Sequence, residues 1–334
     1  MQTILSLLVG LLPVLGFLAV LVLLESYKLV KLSTIVAVVA GGAVVAAACY
    51  FLNGWLLGTL GWDLTPYSRY VAPLVEEFLK AAIVGVLVHT HRVGFLVDGA
   101  ILGFAVGAGF AVVENLYYQQ IVPDAGLGTW IVRGFGTAIM HGGVTAIYTI
   151  STLALVERVR PRILAFVPGF ALAVALHSLY NHMFLSPKLS TLAVLVIIPP
   201  MILFVFQRSQ SAVSDWLGHG FDSDAERLAL IQSGNLSDSP IGRYLGTLRS
   251  RFEGPIVADL LCYLKLYTEL AMRAKGLLLM RENGFDVPID EETKAKFEEM
   301  RYLEKSIGRT GMLALQPVLP MSHKELWQLQ MLGK

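Results

Sequence analysis

Pro73-Leu-Val-Glu-Glu-Phe-Leu-Lys80 runs without a break into Ala81-Ala-Ile-Val-Gly-Val-Leu-Val88. Two adjacent carboxylates and an ammonium therefore stand on a stretch that otherwise reads as a membrane-spanning helix. An ionised carboxylate at the centre of such a helix costs about 2.5–3.5 kcal/mol on insertion scales. Either Glu76 and Glu77 lie in the headgroup zone as ordinary interfacial charges, or the chain keeps them in the membrane for a purpose. Lys80 is one helical turn from both, at i+4 and i+3, and can hold one carboxylate charged and oriented.

Outward from this stretch the composition is that of an integral membrane protein. Apolar residues make up 55% of the 334 and charged residues 15%, where soluble domains carry about 25% charged residues; the mean hydropathy is +0.64. Residues 1–209 hold 8 acidic and 11 basic side chains of the 25 and 26 in the whole chain, so most of the charge lies beyond them. The expected organisation is a transmembrane domain over 1–209 and a cytoplasmic helical tail domain over 210–334. A net charge of +1 gives no case for nucleic acid. Cys49 and Cys262 fall in different parts, so no disulfide framework is indicated.

Seven spans are expected, at about 3–25, 33–57, 72–90, 95–119, 129–155, 162–185 and 189–206, each near the roughly 20 apolar residues that cross about 30 Å of hydrocarbon. The first lacks a basic n-region and a small-residue cleavage pattern, and reads as a retained span. The fold class is all-α, a polytopic membrane bundle with a small helical soluble domain. Lys28, Lys31, Arg92, Arg158, Arg160, Arg162 and Arg208 fall on one side of it, Arg69, Arg133 and Lys188 on the other. The excess places the N-terminus outside and the C-terminus in the cytoplasm. In the tail, Ser223-Asp-Ala-Glu226 and Ser322-His-Lys-Glu325 fit the capping box. Pro255 opens a long amphipathic stretch ending near Asn283-Gly284, and another helix runs from about Asp290 to Ile307. Nothing in the tail resembles a nucleotide loop or a metal motif.

Polar residues recur on three further spans. Glycines at 99, 103 and 107 let another helix approach the fourth span closely, and Glu114, seven positions after Gly107, returns to that face. Asn115, Tyr117 and Tyr118 follow it. The fifth span carries His141 among small residues. The sixth reads Ala175-Leu-His-Ser-Leu-Tyr-Asn-His182, with His177 and Asn181 one turn apart. Counted from the outer ends of their spans, Glu77 and Glu114 are about five residues in, His177 about eight and His141 about twelve, so all four can meet within a depth range of about 10 Å. Zinc takes His nitrogens and carboxylate oxygens, with three protein ligands in catalytic sites, and Glu114, His141 and His177 supply three. Glu76 or Glu77 can act as general base toward a metal-bound water, and Asn181 can donate a hydrogen bond to a developing oxyanion. A proton relay or ion transporter is the non-enzyme alternative, since such carboxylates and histidines also carry protons; a catalytically silent scaffold is another.

Glu76-Glu-Phe-Leu-Lys80, Phe110-Ala-Val-Val-Glu-Asn-Leu-Tyr-Tyr118, the isolated His141 and His177-Ser-Leu-Tyr-Asn181 resemble, in that order, the successive motifs of the PrsW intramembrane proteases. That family is related to the CAAX-processing and bacteriocin-processing membrane proteases, in which Arg stands at the place of Lys80 and His at that of Glu114. The resemblance covers about residues 70–185 and not the tail. It implies a multi-pass metalloprotease of a prokaryotic plasma membrane that cuts membrane-bound substrates such as anti-sigma factors. It leaves the metal open between zinc, another divalent ion and none. In the last case Glu76 would be the base and the histidines would bind the oxyanion.

Overall fold

The computed structural model describes residues 2–285, 287–319 and 322–332. Helices account for all regular structure among them. The chain packs as two compact units, Met1–Gln210 and Ser211–Lys334.

The first unit begins with α1 (Gln2–Leu24) and α2 (Leu32–Leu60). A single turn, α3 (Leu64–Pro66), then widens into a π-helical segment, Tyr67–Val71, which passes directly into α4 (Ala72–His89). After α5 (Leu96–Ile121) the pattern repeats: α6 (Leu127–Ile131), a π-helical Val132–Thr137, and α7 (Ala138–Leu155). The unit closes with α8 (Phe166–His182) and the first half of α9 (Pro187–Gln232). Where seven spans are expected from the sequence, six helices among the described residues are long and apolar enough to cross a membrane. The exception is α4, whose 18 residues include Glu76, Glu77 and Lys80. It nonetheless packs against α2, α7 and α8 within the bundle.

α5 is the axis of this unit. Every residue from Val97 to Ala111 is buried, and the helix touches α1, α2, α4 and α7. A helix that is apolar all round belongs in such a centre. α1, α2, α4, α8 and α9 keep Leu, Val, Ile and Phe side chains exposed, as lipid-facing helices do. The glycine face of α5 meets α7 backbone to backbone. A Cβ placed on Gly107 would come within 2.2 Å of the His141 carbonyl oxygen, and one on Gly103 within 2.9 Å of the Ala146 Cα. Without side chains at those positions α7 lies close enough for His141 to reach Glu114 on the same face of α5, one turn pair further on.

The second unit holds the end of α9, a short 3₁₀ turn at Asn235–Asp238, α10 (Pro240–Leu248), α11 (Gly254–Glu282), α12 (Glu291–Leu315) and α13 (His323–Leu332). α11 has Pro255 in its first turn, and its chain reverses at Gly284 with φ of 83°. α12 is capped by Asp290, whose carboxylate accepts the Thr293 N–H at 2.8 Å, and it bends at Gly308 immediately after Ile307. One expectation fails here. Ser223 starts no helix, because α9 continues through it to Gln232. Asp224, beside it, turns inward to pair with the buried Lys275 at 2.6 Å. At Ser322 the hydroxyl does accept the Glu325 N–H at 3.2 Å, while the Glu325 carboxylate accepts from Trp216 Nε1. Burial holds the Glu325 carboxyl above its ordinary pKa.

Candidate active site

Four helices of the first unit deliver six ionisable side chains to one place. Glu76, Glu77 and Lys80 come from α4, Glu114 from α5, His141 from α7 and His177 from α8. All lie toward the end of the bundle where the 122–126 and 183–186 connections run.

Glu77 is at the centre. Its Oε1 accepts from Lys80 Nζ at 2.6 Å and from His177 Nδ1 at 2.8 Å. Glu77, Lys80 and His177 are each at most 2% exposed, so these contacts replace water for all three groups. Buried charges persist when paired and hydrogen-bonded in this way. Lys80 Nζ also lies 3.1 Å from His141 Nδ1 and 4.4 Å from the centre of the Phe110 ring. An ammonium has only hydrogens to offer, so His141 Nδ1 is the acceptor and His141 carries its proton on Nε2. That nitrogen donates to Glu114 Oε2 at 3.1 Å. Likewise Glu77 is acceptor-only, so His177 carries its proton on Nδ1 and presents the Nε2 lone pair outward. Glu76 Oε2 is the carboxylate oxygen facing that lone pair, at 3.9 Å.

The two glutamates of the pair thus have different surroundings. Glu77 holds two donors on its Oε1. The side chain of Glu76 is 14% exposed, and its Oε1 meets Asn53 Nδ2 at a long 3.4 Å. Donor atoms of Glu76, His141 and His177 lie within 4.8 Å of one another. Two imidazoles and a carboxylate are a donor set that zinc takes, and a buried carboxylate behind a ligating histidine is the usual support for it. The residues fit a divalent metal provided His141, both of whose nitrogens are engaged here, exchanges one partner for the ion.

Glu114, which the sequence reading placed in the metal set, sits beside that trio rather than in it. Besides His141 it pairs with Arg133 at 3.3 Å. Arg133 itself lies in the second π-helical segment, 12% exposed, with Nε donating to Asn115 Oδ1 at 2.9 Å and its guanidinium 3.6 Å over the Tyr118 ring. Asn115 is anchored in turn on the Gly10 carbonyl at 2.7 Å. Asn181 is not among the converging groups. Its amide donates to the Ser68 carbonyl at 2.9 Å, and Ser178, one turn earlier, donates to the Arg69 carbonyl at 2.6 Å. The two side chains clamp α8 onto the first π-helical segment, whose widened turn frees backbone carbonyls to accept from side chains.

Three residues of the site carry no motif. Arg133 reads in sequence as an outer-loop charge. Tyr67 is 3% exposed, and its hydroxyl donates to Asn53 Oδ1 at 2.8 Å. Asn53 offered one signal, an amide on an apolar helix, which is rare enough in a span to mark a buried role.

A family model described as PrsW family intramembrane metalloprotease matches residues 30–206, which contain every residue of this cluster. No curated protein and no solved structure matches the chain.

Proposed function

The chain belongs to the PrsW family of intramembrane metalloproteases, and from that premise we propose that Glu76, Glu77, Lys80, Glu114, His141 and His177 form a peptidase centre that hydrolyses peptide bonds in or near the membrane segment of other membrane proteins. The observation that carries the reading is the convergence of three carboxylates, two imidazoles and an ammonium from four helices. A single-span anti-sigma factor is a substrate of the right kind.

Glu76, His141 and His177 would hold a divalent metal, zinc by its ligand preference, and the metal would supply Lewis-acid polarisation and a lowered pKa for water. The chain's own residues have separable tasks. Glu77 fixes the His177 tautomer so that Nε2 faces the substrate space, and Lys80 keeps Glu77 charged. Glu114, held by Arg133, orients His141. Glu76 would hold the metal through one carboxylate oxygen only, and its other oxygen, with acceptor capacity to spare, takes the proton from the attacking water. A catalytic base must lie within hydrogen-bond reach of that proton, and Glu77, 2% exposed and held by Lys80 and His177, does not offer this.

Metal analysis separates the ligand from the brace. Purified protein should carry about one divalent ion per chain, and Glu76→Ala, His141→Ala and His177→Ala should each lose it. Glu114→Ala should still bind at saturating metal, with about 10–100-fold weaker affinity. Loss from Glu114→Ala with retention in Glu76→Ala would return the ligand role to Glu114. One observation favours a second reading, a metal-independent glutamate protease: both His141 nitrogens already have partners, Lys80 and Glu114. Full activity after metal stripping would support it.

With the N-terminus outside and the tail cytoplasmic, the scissile bond falls in the non-cytoplasmic half of the substrate's span, about 7–18 Å deep. Arg133, drawn into the bundle by Glu114, is no longer a free loop charge, which strengthens the charge bias behind that orientation. The test is to map new N-termini in cell membranes, with and without the active chain. Cuts clustered at the cytoplasmic end of spans would reject the orientation or the shared depth, and the absence of any cut that depends on the chain would reject the peptidase reading.

A further inference from the structure

We propose that Asn53 is a catalytic hydrogen-bond donor, its amide N–H receiving the negative charge that develops on the scissile carbonyl oxygen, and that Tyr67 is the positioning residue that aims it. The proposal rests on the peptidase reading above. It assigns to α2 and to the first π-helical segment a part in the chemistry that no motif records.

The orientation of the amide follows from its neighbours. Tyr67, 3% exposed, has its hydroxyl 2.8 Å from Asn53 Oδ1. On the other side of the amide lies Glu76 Oε1, 3.4 Å from Nδ2. A carboxylate accepts only, so a flipped amide would set oxygen against oxygen. The N–H groups are therefore turned toward Glu76. The contact to Glu76 exceeds the ordinary 2.7–3.2 Å of N–H···O bonds, so this donor is aimed but not saturated. That is the state expected of a group whose proper acceptor arrives with the substrate. Asn181 and Asn115, two other amides near the cluster, are already committed to the Ser68 and Gly10 carbonyls.

In the step itself the water oxygen bonds to the carbonyl carbon while Glu76 takes the water proton. The carbonyl π pair moves onto oxygen, where the Asn53 N–H meets it. On collapse the pair re-forms C=O, the C–N bond breaks, and the departing nitrogen takes the proton from Glu76. Asn53 transfers nothing; it lowers the barrier by stabilising charge present in the transition state and absent from the ground state.

The test uses full-length protein in nanodiscs and a fluorescence-quenched peptide spanning the cut mapped in membranes. Asn53→Leu, equal in size but without a donor, should lower kcat by about 100-fold, with KM, metal content and melting temperature unchanged. Tyr67→Phe, which leaves the donor free to turn, should lower kcat by about 10-fold with the same split. Should the leucine variant fail to insert, Asn53→Ala takes its place, since it has no N–H and sets no oxygen or charge against Glu76. Near wild-type kcat in the Asn53 variant overturns the proposal and leaves the peptidase reading standing. A fall in kcat that tracks lost metal or lost stability also overturns it, as the mark of a structural role. A wild-type chain that makes no cut removes both.

Discussion

Glu76→Gln is expected to lower the cleavage rate by about 10²–10⁴-fold without disturbing insertion or thermal stability. The side chain is partly exposed and its partners are distant, at 3.4 Å from Asn53 and 3.9 Å from His177, so an amide fits there at little cost. Glu77→Gln should abolish cleavage as well, but for another reason and with another signature. It leaves the fully buried Lys80 ammonium without a counter-charge, although the amide oxygen can still accept from Lys80 and His177. Breaking a buried pair by removing one partner costs about 3–5 kcal/mol, so this variant should melt well below wild type. Measuring rate and melting temperature together tells the two glutamates apart. Equal melting temperatures for both variants would mean that the buried pair adds nothing to the stability of the bundle. A near wild-type rate for Glu76→Gln would remove Glu76 from the chemistry.

Gly107→Ala should disable the site from a distance, although it changes no polar atom. The added methyl would stand 2.2 Å from the His141 carbonyl oxygen and 2.7 Å from the Gly142 Cα. Both are backbone, on a helix buried on all sides, so neither can swing away as a side-chain tip would. α5 and α7 must separate. Overpacking of this kind costs about 1–3 kcal/mol, occasionally more. The separation also stretches the 3.1 Å contact between His141 and Glu114, and misplacement by about 1 Å lowers rates by about 10²-fold. Gly85→Ala, on α4 with open space around it, is the control and should behave as wild type. If Gly107→Ala matches that control in both melting and rate, the close helix contact does not position His141.

How far these features can be read from the chain depends on whether they are local. The Glu77–Lys80 pair is set by three residues of spacing on one helix, and the glycine face of α5 by a repeat of four. Shared depth follows from counting along helices of fixed rise. Those readings need no tertiary information. The direction in which Asn181 points is different. It shares a face with His177, yet it lies one turn nearer the end of α8, where the wide turn before α4 presents bare carbonyls. No sequence signal marks that turn as π-helical. Arg133 was hidden in the same way, since the second wide turn brings a charge from the edge of the span inward to Glu114. Ser223 failed because a capping pattern cannot by itself stop a helix that tertiary contacts continue.

A π turn holds more residues per revolution than the α-helical turn it replaces, so the segment from Tyr67 to Val71 sets the rotational phase between what precedes α4 and what α4 carries. Tyr67 faces Asn53 while Glu76 and Glu77 face the histidines. Regularising the turn by one residue would rotate Tyr67 by about 100° relative to the two glutamates. The chain therefore tolerates exchanges of side chains along 67–71 far better than a change in their number. Length, in this short stretch, is itself a coordinate of the site.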